Sequence, residues 1–67
     1  MKTGDLVDVK TFSGEIVKRR IVEILRNTVY ICTENEWRNA IKERRQPTSA
    51  GFNREYVVGG DGDTLQP

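Results

Sequence analysis

The sequence predicts a mainly β fold, a small barrel of four or five short antiparallel strands with one helix inserted before the last strand. Three observations carry this expectation. Apolar and polar residues alternate over Leu6–Lys10. The stretch 14–33, GEIVKRRIVEILRNTVYICT, holds two runs rich in β-branched residues on either side of Arg26–Asn27. From Thr33 to Arg45 the apolar spacing becomes helical, and Pro47 ends it. Period-two alternation marks a half-buried strand, whereas spacing at i, i+3 and i+4 marks a helix face.

In chain order, residues 4–12, GDLVDVKTF, form the first strand, with Val7 and Val9 on one face and Asp8 and Lys10 on the other. Ser13–Gly14 supplies a turn, because glycine tolerates positive φ. Residues 15–25, EIVKRRIVEIL, form the second strand. Val17, Ile21, Ile24 and Leu25 would also suit a helix, but five of the eleven residues are β-branched, which favours a strand. Its apolar residues come in adjacent pairs around Lys18-Arg19-Arg20, so one register cannot bury them all. A bulge near Lys18–Arg20 is expected to resolve the conflict.

Asn27 is the residue suited to positive φ in the two-residue loop. Residues 28–33 form the third strand. Thr33 and Glu36 match a capping box, and Trp37, Ala40, Ile41 and Arg44 share a helical stripe. Glu34 and Arg38 are spaced to pair, and Lys42, Arg44 and Arg45 complement the negative end of the helix dipole. A loop at 48–51 leads to a fourth strand at 52–58, FNREYVV. Residues 59–67, with three glycines and no apolar pattern, read as a flexible C-terminal tail, leaving 1–58 as one domain.

At 67 residues the chain has room for one small core. Apolar residues make up 36% and charged residues 31%, with both signs intermixed, as on a solvated surface around a thin core. Residues 1–58 carry 11 basic and 8 acidic side chains, while the tail adds Asp61 and Asp63. There is one cysteine, Cys32, and no histidine, so an intrachain disulfide and imidazole chemistry are excluded. No signal-peptide pattern and no apolar run near ~18 residues stands in the chain, so a cytoplasmic setting and no membrane partner are expected.

The opening Gly4-Asp5-Leu6-Val7-Asp8-Val9, then Gly14, Ile21-Val22-Glu23-Ile24 and the closing Gly51-Phe52-Asn53-Arg54-Glu55-Tyr56-Val57-Val58 resemble an SH3-like barrel of the KOW and Tudor kind. The resemblance spans 4–58 and implies the fold alone. Lys18 or Arg19 stands where KOW motifs carry a second glycine. Tudor domains that read methylated side chains use a cage of several aromatics, whereas this chain has five in all and some of them must fill the core.

The function expected is that of a small non-catalytic binding module. Lys18, Arg19, Arg20, Arg26, Lys42, Arg44 and Arg45 are the candidate nucleic-acid-binding residues, joined by Arg38 or Arg54 if they share a face. Phe12 and Tyr30 would then stack on bases. The opposing expectation is a salt-bridged surface with Glu15, Glu23, Glu36 and Glu43 among the cations. The alternative function is protein–protein interaction by edge-strand pairing or homodimerisation. A third reading, a subunit of an oligomeric enzyme, needs a composite site because one chain offers no nucleophile–base pair. Trp37 and Cys32 are expected in the core. Asp61-Gly62-Asp63 resembles half a calcium loop but lacks its remaining ligands, so no metal and no cofactor are expected.

Overall fold

The computed structural model describes residues 1–60. Its elements are β1 (Leu6–Lys10), β2 (Ile16–Leu25), β3 (Thr28–Cys32), α1 (Glu34–Glu43), β4 (Ala50–Asn53), a single-turn 3-10 helix (Arg54–Tyr56) and β5 (Val57–Gly60). The five strands form one antiparallel sheet in the order β4-β3-β2-β1-β5. The expected mainly β fold is present, with α1 between the third and fourth strands.

The run 52–58, expected as one strand, is divided between the two edges of this sheet. Phe52 pairs with Val29 at one edge, and Val57 pairs with Val9 at the other. The Asn53 side chain explains the break. Its Oδ1 accepts the Glu55 N–H at 3.0 Å, capping a turn where the strand would otherwise continue. The Arg54 N–H donates to the Asn27 carbonyl at 2.6 Å and ties that turn to the β2–β3 loop. Pairing then runs past residue 58, with Gly59 opposite Asp8 and Gly60 opposite Val7. The rest of the expected tail, including Asp61-Gly62-Asp63, lies outside the described residues.

Joining opposite edges through three residues forces the sheet to curl. Flat strands ~4.8 Å apart would place the first and fifth about 19 Å from each other. The paired positions are also offset along β2, since β4 ends beside Thr28 and Leu25 while β5 starts level with Val17. That offset is ~27 Å of straight strand. Asn53 to Val57 spans at most ~14 Å even fully extended, so β2 must bend.

The bend lies beyond Lys18–Arg20. Those residues continue an unbroken register, with Lys18 opposite Asp8, Arg19 opposite Val7 and Arg20 opposite Leu6. The irregularity falls between Ile21 and Glu23, in the pairing of β2 with β3. A bulge at Val22 reverses the phase of the strand, so that Val17 and Ile21 before it and Ile24 after it all pack toward the core. The cationic triplet needs no such reversal, because Arg19 itself takes the inward position between Val17 and Ile21.

The core is Val7, Val9, Ile21, Val29 and Ile31, with Met1, Val17, Ile24, Phe52, Tyr56 and Val57 packed around it. Gly14 has φ +90° in the β1–β2 turn, as its turn role requires. In the β2–β3 loop the positive φ belongs to Arg26 (55°), while Asn27 directs its carbonyl to Arg54.

Helix α1 begins with half of the expected capping box. Thr33 Oγ1 accepts the Glu36 N–H at 3.0 Å, but the Glu36 carboxylate turns to Arg45 and the Thr48 N–H. The helix ends at Arg44, left-handed at φ 55°, where the Arg45 N–H reaches Ala40 O and the Arg44 N–H reaches Ile41 O in a Schellman arrangement. Ala40 is buried and Trp37 is half-buried beside Gly4, but Ile41 is 63% exposed. The inward stripe is therefore narrower than the spacing predicted. Among the described residues, no helix is long and apolar enough to cross a membrane.

The bulge makes a directional test. Ile21 is 0% exposed and Ile16, in the same strand, is 54% exposed. Ile21→Ala should cost about 2–5 kcal/mol, comparable to the whole stability of a domain this small. Ile16→Ala should cost below about 1 kcal/mol. Urea titration of both variants checks this, and equal costs would reject the register.

Candidate binding groove

The curled sheet leaves a groove of about 500 Å³ on its inner face. Its floor is Val9 from β1, Val17 and Arg19 from β2, and Ile31 from β3. Ala50 and Phe52 of β4 form one wall, and Thr33, Glu36, Thr48 and Ser49 close the end beneath α1. Strand alternation places these side chains here, since Val7, Val9, Val17 and Ile31 share the inner phase of their strands. The volume is in the range of small-ligand and peptide sites.

The end wall is held by charge. Arg45 Nη1 donates to Glu36 Oε2 at 2.6 Å, and the Thr48 N–H donates to the same oxygen at 2.9 Å. Arg45 Nε also reaches Glu43 at 2.6 Å. One carboxylate thus pins the 45–48 loop to the first turn of α1. The Arg45 guanidinium and the Thr48 amide hold the Glu36 carboxyl down at about 2, against an ordinary 4.5.

The candidate nucleic-acid-binding cations do not gather on one face. Lys18 lies on the outer face and donates to Asp8 at 2.8 Å. Arg20, on the same face, grips both carboxylate oxygens of Glu34 and also donates to the Gly4 carbonyl at 2.8 Å. Glu34 takes a third bond from Arg38, the expected i,i+4 pair, and the Arg20 hydrogen bond is the main reason its carboxyl is depressed. Arg45 is bound to Glu36 and Glu43. Arg26 sits in the β2–β3 loop, and Lys42 and Arg44 are exposed at the end of α1. Arg19 alone of the triplet lies inside the groove.

Phe12 is 91% exposed at the β1–β2 turn, edge-on to Tyr56 with ring centroids 6.0 Å apart. Tyr30 is half-buried and covers Gly51, where an added Cβ would come within 3.1 Å of its ring. Cys32 is buried, and burial followed by the nearby Glu36 and Glu34 charges pushes its thiol up. Among the described residues, no group of three or more acidic or cysteine side chains is placed to hold a metal ion.

The Glu36–Arg45 link and the groove wall at Thr48–Ala50 escaped the sequence reading. They depend on the chain turning back after the helix at the left-handed Arg44, and no local spacing signals that reversal.

Glu36 has a lowered folded pKa, so its stabilisation is complete above about pH 4.5 and lost as pH falls through about 2. Glu36→Gln should lower the denaturation midpoint near neutral pH, and its gap from wild type should close between those two values. A gap that does not change with pH would show that Glu36 acts through packing alone. Set beside known proteins, the chain matches no family model, no curated protein and no solved structure.

Proposed function

We propose that this chain is a small non-catalytic binding module, built as an SH3-like barrel, that takes up an extended segment of a protein partner along β4. The β4-β3-β2-β1-β5 order and the 3-10 turn that swings the chain from one sheet edge to the other support the barrel reading. The observation that carries the functional reading is the position of β4. Ala50 and Phe52 line an apolar groove, and β4 is the last strand of the sheet on that side. An incoming strand there gains main-chain hydrogen bonds from the edge and apolar burial from the groove, the two components of β-strand addition.

The weighting between protein and nucleic acid follows from charge. Lys18 and Arg20 on the outer face and Arg45 at the end of the groove already have carboxylate partners, and the other candidate cations are divided among β2, the β2–β3 loop and the end of α1, so they build no single positive surface to attract phosphates. The reading is non-catalytic because a buried thiol with a raised pKa is a poor nucleophile and the chain has no histidine to activate it.

Selection of capped twelve-residue peptides from a random library tests this. Selected peptides should protect β4 backbone amides from hydrogen exchange. Ala50→Arg, which plugs the exposed mouth of the groove, should weaken them about tenfold or more, the equivalent of ~1.4 kcal/mol. Failure to select any peptide, or protection confined to another face, would overturn the reading. A fluorescence response to single-stranded oligonucleotide that fades steeply with salt would instead favour nucleic acid.

A further inference from the structure

We infer that Arg19 is the specificity-determining residue of the groove, and that the segment it selects is an extended peptide carrying an acidic side chain between apolar ones. This inference rests on the β4-docking reading and names its ligand class.

Arg19 occupies an inner-face position opposite Val7, in a strand whose neighbouring inward residues are Val17 and Ile21. It is half-buried and lines the groove together with Val9 and Val17. Its Nη1 donates to the adjacent Lys18 carbonyl at 2.7 Å. Among the described residues it has no carboxylate within ion-pair distance, in contrast to Lys18 and Arg20 on either side. The acidic group that shares the groove, Glu36, is committed to Arg45 and the Thr48 amide. The groove thus presents apolar side walls, a polar end wall and, in Arg19, a cation with no carboxylate partner among the described residues.

A guanidinium in apolar surroundings loses hydration, and a carboxylate delivered to it restores that loss through two parallel hydrogen bonds. The planar fork suits a carboxylate better than an ammonium would. Alternation along a docked strand sends every second side chain inward. An acidic residue facing Arg19 is therefore flanked, two positions away on each side, by residues facing the apolar walls.

The test uses the same selected peptides, capped at both ends to remove terminal charge. Enriched sequences should carry a Glu or Asp between apolar residues. Replacing that residue by its amide should raise Kd about tenfold or more against the wild-type chain and less than about twofold against Arg19→Gln. Arg19→Lys should retain part of the acidic preference, and circular dichroism on both variants establishes that they fold. Peptides that protect β4 but show no acidic enrichment, or an amide penalty equal in wild type and Arg19→Gln, would overturn the role of Arg19 and leave β4 docking standing. Absence of any binding peptide would overturn both.

Discussion

Three residues, Arg54 to Tyr56, connect the two opposite edges of a five-stranded sheet, and that short link dictates the shape of the molecule. Strand pairing alone would accept a flat sheet of this order. The covalent reach from Asn53 to Val57 does not. To satisfy it, β2 serves two partners in succession, β1 along its first half and β3 along its second, and changes direction at the bulge around Val22. The bulge also solves a side-chain problem. It lets Ile21 and Ile24 point into one core although they sit three apart in a strand, where straight geometry would put them on opposite faces. The Asn53 cap and the Arg54–Asn27 hydrogen bond hold the corner where the edges meet.

The groove follows from the same closure. The curl brings the inner faces of β1, β2 and β4 around a common space, but five short strands supply few large side chains to fill it. The fully buried residues are mostly valine and isoleucine. Phe52 reaches in from one wall, and Arg19 takes a position that a purely structural barrel would give to an aliphatic residue. A cation at that point lowers the packing contribution of the floor. Local choices of this kind, in disagreement with the surrounding pattern, are characteristic of functional surfaces.

Electrostatics divides the charged residues into structural and available groups. Arg20 with Glu34 and Arg45 with Glu36 both anchor the first turn of α1, one to β2 and one to the loop that follows the helix. Lys18 with Asp8 is an exposed cross-strand pair of the kind that contributes little, about 0–1 kcal/mol. These pairings take up three of the seven candidate cations, Lys18, Arg20 and Arg45. The other four are divided among Arg19 on the inner face, Arg26 in the β2–β3 loop, and Lys42 and Arg44 together at the end of α1.

Local chemistry made much of the fold legible from sequence. The Leu6–Lys10 alternation, the β-branched runs around Arg26–Asn27, the Thr33 cap and the stop at Pro47 each act within a few residues, so strands, hairpin and helix could be read directly. The break at Asn53 was signalled by a residue that favours capping, but it lay inside a run with strand composition. The bulge position was misplaced for a comparable reason. The three adjacent cations looked like the residues that a strand cannot bury, and only the packed sheet shows that Arg19 points inward and Val22 is the extra residue. The groove, the Glu36–Arg45–Thr48 clamp and the dispersal of the cations were not legible at all. The groove and the dispersal of the cations arise from the curl of the sheet, and the clamp from the turn of the chain at Arg44, none of which is a local preference. The chain by itself determined which segments become strands and helix, because those preferences are local. Tertiary structure decided which side chains meet, because the three-residue link between opposite edges sets the curvature that brings them together.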